Sequence, residues 1–255
     1  MLHRVADGEW SVLADPNYEA ANGMFGGWGA AIALGSAVAD SDEADRPSAI
    51  TINFVRQIVP GTELVVRTRC VGASRSVSHW QCEISSTDEQ EVCATASIVL
   101  TKRRATDGHI DVTMPEAPDP DTIEPFFPAP GAGGQRLSMR PIDGFPPFGR
   151  DDTTSTAWVR DLSGRTIDHA QLAFLADHRP PRSWYWGEGP RPSATLTLSV
   201  WFHATDAELA DVGDDEVLSE AFGVRGAQST SEEHARLWSR TGALLASSVQ
   251  LAWYR

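Results

Sequence analysis

The chain has 255 residues, of which 22% are charged, and its net charge is -14. This length exceeds that of a typical single domain and suits two units that share one sheet or core. The acidic excess argues against a nucleic-acid partner, because phosphates are neutralised by Lys and Arg, and no apolar run approaches the roughly 20 residues that cross a bilayer.

The chain begins with a polar segment, Met1 to Glu9. This segment lacks the apolar core of a signal peptide, which indicates a cytoplasmic location. We therefore expect no membrane partner.

The pattern of the first hundred residues predicts one helix followed by four strands. The helix, at about Gly26 to Ala39, is rich in small residues. The strands carry apolar side chains at every second position, as in AITINFV at residues 49–55. The predicted strands cover residues 48–59, 63–71, 76–86 and 91–102.

A proline-rich stretch follows, from Ala105 to about Asp152. Its prolines lack an amide donor and fix φ, which excludes a central strand or a long helix. We interpret the stretch as a connection that crosses the outside of the fold, and a disordered linker is the alternative. Disordered segments usually lack aromatic residues. Packing onto the body is therefore favoured by four phenylalanines, Phe126, Phe127, Phe145 and Phe148.

The same order of elements then appears a second time. A helix is predicted near Ile167 to His178, and a strand opened by Ser-Ala follows the helix in both copies, at Ser48 and at Ser193. The strands of the second copy cover residues 193–203, 216–227, 232–239 and 243–254. We predict an α+β protein with an N-terminal unit (1–104), a crossover linker (105–152) and a C-terminal unit (153–255).

Several common active-site motifs are absent from the sequence. It contains no Gly-x-Ser-x-Gly elbow of an α/β-hydrolase and no glycine-rich phosphate loop. His169 and His178 are nine residues apart, a spacing unlike that of paired metal ligands on a helix. We therefore expect no metal and no cofactor.

One short basic cluster is present, Lys102-Arg103-Arg104. Such a cluster either contacts phosphate groups or is a charged strand end that turns into a solvated loop. The sequence does not decide between these interpretations.

Five segments, spread over both copies, carry a family resemblance: Phe25 to Ile32 (FGGWGAAI), Ile52 to Gly61 (INFVRQIVPG), Leu172 to Asp177 (LAFLAD), Ala194 to His203 (ATLTLSVWFH) and Leu245 to Gln250 (LASSVQ). In this order they resemble the double-hotdog acyl-CoA thioesterases of the acyl-CoA thioesterase II (TesB-like) group. The resemblance implies a double hotdog, in which two tandem helix-wrapped antiparallel sheets form one continuous sheet. It also implies an acyl-CoA substrate, hydrolysed to a free acid and coenzyme A. A homo-oligomer of double-hotdog chains is left open.

The resemblance assigns the chemistry to three residues of the second copy. By the family's pattern, Asp177 is the acid, Thr195 the hydroxyl and Gln250 the amide that together hold and activate a water. A buried carboxylate gains basicity from desolvation, which suits a general base. Taken singly, these residues also fit a solvated helix end, an ordinary strand residue and a satisfied core amide. Thr197 stands where the family commonly has an acid, which puts the water network or the substrate specificity in doubt and leaves a weakened enzyme open.

The first copy supplies a glycine pair, Gly26 and Gly27, at the start of its helix. Free amides at a helix start can receive the oxyanion or carbonyl of a thioester. On this interpretation Gly27→Val lowers turnover with little effect on the melting temperature. The first copy also lacks counterparts of Asp177 and Gln250. We therefore expect one composite site per chain.

Two other functions remain open. A hotdog hydratase is disfavoured, because no Asp-x-x-x-x-His pair lies at a helix start. A non-catalytic acyl-CoA-binding hotdog protein is the alternative from a different class. Acyl-chain length and physiological pathway depend on packing that the sequence does not fix.

Overall fold

In the computed structural model the chain forms one antiparallel sheet of twelve strands, and the two predicted helices pack on one face of it. The structure describes residues 2–88, 91–126 and 131–255. Phe127, one of the residues that favour packing of the linker, lies outside these ranges. Among the described residues, no helix has both the length and the apolar character needed to cross a membrane.

The first half of the chain begins with two strands that the sequence analysis did not predict. These strands, β1 (His3–Ala6) and β2 (Glu9–Leu13), form a hairpin at one edge of the sheet. A short hairpin of β3 (Glu19–Ala20) and β4 (Gly23–Met24) leads into α1 (Gly26–Asp40). The four strands that the alternation predicts then follow: β5 (Arg46–Phe54), β6 (Glu63–Ala73), β7 (Val77–Ser86) and β8 (Val92–Thr101).

The second half repeats this arrangement. Its first strand, β9 (Leu137–Asp143), lies within the range predicted as linker, and it contains Pro141. β9 is an edge strand, a position that tolerates proline because one side of the strand needs no hydrogen bonds. The remaining elements are β10 (Ser155–Asp161), α2 (His169–Leu175), β11 (Ser193–Phe202), α3 (Asp206–Val212), β12 (Val217–Ala227), β13 (Thr230–Trp238) and β14 (Leu244–Tyr254). Neither β10 nor α3 was predicted.

The two halves have the same strand order about a central pair. Across the sheet the order is β1-β2-β6-β7-β8-β5-β11-β14-β13-β12-β10-β9. β5 and β11 pair antiparallel, with Thr51 opposite Ser199, so an approximate two-fold axis passes through this pair. The predicted continuous sheet is confirmed. Each half contributes six strands to it rather than four.

The inner face of the sheet and the two helices enclose one hydrophobic core. Residues of α1, α2 and the central strands all belong to it, including Ala33, Leu172, Ile52 and Leu198. Alternation along each strand places every second side chain in this core. The small side chains of α1 let this helix lie close to both the sheet and α2.

Before β9, residues 112–123 of the crossover pack on the outer face of the second half, whereas Phe145 after β9 packs against the main core. Trp158 alternates with Ala157 and Val159 of the main core, so its side chain points to the opposite face. There it forms a second cluster with Leu218 and Trp238, against which Val112, Met114, Ala117 and Ile123 of the crossover pack. The Trp158 indole N–H also donates to the Pro118 carbonyl at 2.9 Å.

α2 ends earlier than predicted. Its last residue is Leu175, so Asp177 lies in the turn that follows the helix rather than on it. The N–H of Asp177 bonds to the carbonyl of Phe174, three residues back, which tightens the chain. Pro180 contributes to this ending, because a proline lacks the amide hydrogen that would bond to the Ala176 carbonyl four residues back in a continuing helix.

The basic cluster is a connection between the two halves. The Arg103 guanidinium donates to the Pro47 carbonyl on β5 and to carbonyls at the end of β11, those of Phe202, His203 and Ala204. Lys102 pairs with Asp42 at 2.8 Å. These contacts favour the structural interpretation of the cluster, at least for its first two residues.

We expect Arg103→Met to lower the melting temperature by about 5–10 °C. The variant loses charged hydrogen bonds worth roughly 2–3 kcal/mol in total. Arg104→Met is the matched control, because Arg104 is exposed and the substitution removes the same charge. Differential scanning calorimetry of both variants measures the effect, and equal melting temperatures would contradict the assignment of Arg103 as a clamp.

Candidate active site

The carboxylate of Asp177 joins the two halves of the chain. Its Oδ2 accepts a hydrogen bond from the backbone N–H of Gly27 at 2.9 Å, and its Oδ1 accepts one from the Thr195 hydroxyl at 3.3 Å. Gly27 belongs to the first half, whereas Asp177 and Thr195 belong to the second. The structure thus brings together the start of the first helix and two of the three predicted residues.

Glycine at position 27 is required by the closeness of α1 to α2, whereas Gly26 lies against the side chain of Asp177. A Cβ on Gly27 would lie 2.2 Å from the carbonyl oxygen of Phe174, and a Cβ on Gly26 would lie 2.6 Å from Asp177 Oδ2. A carboxylate can swing aside, but a helix backbone cannot do so without moving the helix. The expectation that Gly27→Val spares folding is therefore wrong, because valine would push α1 away from α2.

A β-bulge aims Thr195 at Asp177. Leu198 is buried, and strict alternation would turn Thr195, three residues earlier, to the outer face. The register of β11 against β14 shifts between Thr195 and Thr197. The extra residue returns the Thr195 hydroxyl to the inner face. Thr197 lies on the other side of this bulge.

Burial makes Asp177 a weaker acid. Loss of hydration raises the pKa of its carboxyl to about 6, although Arg179 and the hydrogen bonds from Thr195 and Gly27 act in the opposite direction. A carboxyl group with this pKa is largely ionised at pH 7 and still accepts a proton readily. It therefore has the property required of a general base.

Two arginines and a second acid form a charged group with Asp177, in which Arg179 and Glu233 interact with Asp177 and Arg182 interacts with Glu233. Arg179, Arg182 and Glu233 are all buried. Burial lowers the pKa of Arg179 to about 10 and lowers that of Arg182 as well. The two acids compensate the charges of the two guanidinium groups. None of these three residues was predicted from the sequence, although Glu233 occupies the inward-facing phase of an alternating strand, where a charge is unusual.

Gln250 contacts this cluster rather than Asp177. Its Nε2 donates to Glu233 Oε2 at 2.9 Å, and Glu233 Oε1 accepts the backbone N–H of Arg182, also at 2.9 Å. In the part of the chain that the structure describes, no direct hydrogen bond joins Gln250 to Asp177, and the buried Oε1 of Gln250 has no partner. The third predicted residue therefore offers an unused acceptor.

The two glycine amides differ in their availability. The Gly27 N–H is occupied by Asp177, whereas the Gly26 N–H has no acceptor among the residues described. Amides of the first helical turn have no partner inside the helix. The Gly26 N–H is therefore the member of the pair that remains able to bind a carbonyl oxygen.

The pseudo-symmetric position in the first half lacks this chemistry. β5 has a bulge against β8 between Pro47 and Ala49, which corresponds to the bulge at Thr195. When the two halves are aligned at these bulges, Pro47 corresponds to Thr195 and Ile98 corresponds to Gln250. Trp80 lies opposite Ile98, as Glu233 lies opposite Gln250. Three side chains without a carboxyl or amide group therefore stand where the second half has its polar set.

Two family models match the chain. The model of the acyl-CoA thioesterase N-terminal domain matches residues 14–101, and that of the acyl-CoA thioesterase C-terminal domain matches residues 111–254. The second match alone covers more than half of the sequence. The chain belongs to the acyl-CoA thioesterase family. Membership of this thioesterase family assigns thioester hydrolysis as the class of chemistry.

Solved structures share the complete fold of this thioesterase family member. A conserved protein of unknown function with a hot dog fold from Alicyclobacillus acidocaldarius is 29% identical, with a TM-score of 0.94 over 100% of this chain and 96% of that one. The tesB protein of Mycobacterium avium subs paratuberculosis is 20% identical, with a TM-score of 0.81. The acyl-CoA thioesterase II TesB2 from Mycobacterium marinum is 17% identical, with a TM-score of 0.77. Both of these comparisons cover 100% of this chain and 96% of the other. No curated protein sequence matches this chain significantly.

The raised pKa of Asp177 makes the free energy of unfolding depend on pH. The folded state binds the Asp177 proton more tightly than the unfolded chain, in which the carboxyl has its ordinary pKa of 3.8. Stability is therefore highest when the group is protonated, and it falls as the pH rises from about 4 to above 6, by about 3 kcal/mol. Asp177→Asn imitates the protonated form.

We expect Asp177→Asn to melt several degrees higher than the wild type at pH 8, with the difference shrinking toward pH 4. Melting temperatures of the variant and the wild type between pH 4 and pH 8 measure this difference. A variant that melts lower than the wild type at pH 8 would show that the ionised carboxylate stabilises the fold.

Proposed function

We propose that this chain hydrolyses acyl-CoA thioesters to a free acid and coenzyme A, with Asp177 as the general base. One observation carries the proposal: a buried carboxylate with a pKa raised to about 6 is held between the Thr195 hydroxyl and the Gly27 amide. The family supplies the reaction class, and this carboxylate supplies the proton acceptor that the reaction needs.

The proposed reaction starts from a water molecule beside Asp177. The carboxylate takes one proton while the water oxygen forms a bond to the thioester carbon. The carbonyl electron pair moves to the oxygen, and N–H donors stabilise the oxyanion. The C–S bond then breaks, coenzyme A leaves as a thiolate, and the proton held by Asp177 passes to the sulfur.

Three neighbouring groups assist this sequence. The Thr195 hydroxyl and the Gly27 amide each occupy one oxygen of the carboxylate and so fix its orientation. The Gly26 N–H is the proposed oxyanion donor. Gln250 supplies its unpartnered amide oxygen as an acceptor for the attacking water. Preorganised partners of this kind reduce the rearrangement that the transition state requires.

The remaining predictions from the sequence stay predictions. They are the division of the chain into units 1–104, 105–152 and 153–255, the cytoplasmic location and the homo-oligomer of double-hotdog chains. One composite site per chain is part of the present proposal. It is supported by the apolar set at Pro47, Ile98 and Trp80.

Free-thiol release from acyl-CoAs of increasing length, from acetyl to long-chain, tests the proposed function. We expect turnover by the wild type, with kcat rising with pH around 6 and then levelling, because the base must be deprotonated. Asp177→Asn should lose about 10²- to 10⁴-fold in kcat and retain binding, since the amide has nearly the shape of the carboxylate.

Calorimetric titration of the variant with a non-hydrolysable acyl-CoA thioether measures the retained affinity. Binding by the wild type without turnover of any acyl-CoA would instead identify a non-catalytic acyl-CoA-binding protein. Full activity of Asp177→Asn would move the base to another residue.

We further expect Gly26→Ala to lower kcat at least tenfold while the protein still folds. The new Cβ would displace the Asp177 carboxylate, which lies 2.6 Å away at Oδ2 and can rotate. Loss of positioned general-base catalysis carries a penalty of this order or more. Thiol release and circular dichroism melting measure the two quantities.

Gly35→Ala is the matched control in the same helix. Its Cβ meets the Leu2 side chain at an ordinary 3.7 Å, and alanine favours a helix by roughly 0.5–1 kcal/mol. The control should therefore keep wild-type kcat and melt no lower. Equal kcat for Gly26→Ala and the control would count against the placement of the reacting groups beside Gly26.

A further inference from the structure

The side-chain amide of Gln250 has two chemically different ends. Turned one way it presents an oxygen, which accepts hydrogen bonds, and turned the other way an NH₂ group, which donates them. The two orientations fill the same space. A water that gives its proton to Asp177 and is held by its second hydrogen needs an acceptor at Gln250. The orientation of this amide therefore decides whether Gln250 holds the water.

Glu233 determines this orientation. Its side chain is fully buried, with 0% exposure, and Oε2 lies 2.9 Å from Gln250 Nε2. An ionised carboxylate only accepts hydrogen bonds, so it pairs with the NH₂ end of the amide and excludes the oxygen end. Gln250 Oε1 is thereby directed away from Glu233, and it is this atom that is buried without a partner among the described residues.

Glu233 is itself held rigidly. The backbone N–H of Arg182 donates to Oε1 at 2.9 Å. The guanidinium of Arg182 donates in turn to the carbonyl of Thr153 and to the Ser155 hydroxyl, at 2.9 and 2.8 Å. Arg179 and Arg182 also compensate the charge of Glu233. With both oxygens occupied and its charge balanced, the carboxylate has one arrangement available.

We infer that Glu233 is a positioning residue, which locks the Gln250 amide with its oxygen toward the reacting water. This inference rests on the proposed hydrolysis. Glu233 touches neither water nor substrate in this scheme and acts through Gln250. In the first half Trp80 occupies the position of Glu233, and its partner Ile98 occupies the position of Gln250. The acid and the amide are therefore both present in the second half and both absent from the first.

The isosteric variant Glu233→Gln reverses the pairing. Its amide oxygen replaces Oε1 as acceptor for the Arg182 N–H, which leaves an NH₂ group facing position 250. Gln250 must then turn its own oxygen toward residue 233 and its NH₂ toward the water. The acceptor at the water becomes a donor, with no change in the volume of the site.

The test compares the kinetics of three variants with the wild type. Glu233→Gln should lower kcat about 10- to 100-fold, as loss of an orienting partner typically does, with KM unchanged. The double variant Glu233→Gln/Gln250→Glu should recover to within about tenfold of the wild type, because the amide at 233 then donates to a carboxylate at 250, whose second oxygen accepts from the water.

Glu232→Gln is the control, because it removes the same charge from the adjacent exposed position. It should keep the wild-type kcat. A purely structural role for Glu233 would lower the melting temperature of Glu233→Gln and leave kcat of the folded protein unchanged. That result, or a double variant no better than Glu233→Gln, would overturn the inference.

A measurement without substrate separates this inference from the proposed function. In a ¹⁵N–¹H spectrum of the wild type, the side-chain NH₂ signals of Gln250 should exchange slowly with solvent, and those of the exposed Gln57 rapidly. The Gln250 signals are assigned by their loss in Gln250→Glu. Slow exchange without any acyl-CoA turnover would reject the proposed function and retain the locked amide, whereas exchange as fast as that of Gln57 would reject the lock.

Discussion

The close approach of α1 to α2 is the constraint on which the rest of the structure depends. A backbone amide of the first half reaches a carboxylate of the second at 2.9 Å, and this requires the two helices to pack almost without side chains between them. Gly26 and Gly27 provide the space. The continuous sheet fixes the helices at this distance, because β5 and β11 pair directly beneath them.

Burying a carboxylate at this junction carries an electrostatic cost that groups from both halves partly offset. Arg179 interacts electrostatically with both Asp177 and Glu233, and Arg182 interacts with Glu233. The Gly27 amide and the Thr195 hydroxyl solvate Asp177 in place of water. The balance is incomplete, since the pKa of Asp177 stays above its usual range. A fold that keeps an ionised carboxylate buried in this state gives up some stability for it.

The fold was largely predictable from the sequence because it rests on alternation and duplication, two signals that survive without tertiary information. The edge strands could not be predicted in this way, since β1 and β2 are short and β9 contains a proline. Asp177 and Thr195 were identified by resemblance, but the bulge that turns Thr195 inward is a property of paired strands and has no sequence motif. Gln250 was identified without its partner. Glu233 is close to it only because β13 and β14 form a hairpin in a particular register.

The linkage of the two units in one chain has a consequence for how the site can change. In a pair of identical subunits every substitution appears twice, so a residue that improves one site is imposed on its symmetric copy. Here Trp80 and Ile98 lie where Glu233 and Gln250 lie in the other half, and each set is inherited independently of the other. The first half can thus be an apolar wall and the second a charged one. Covalent fusion separates the mutational histories of two sets of positions that an approximate two-fold axis relates to each other.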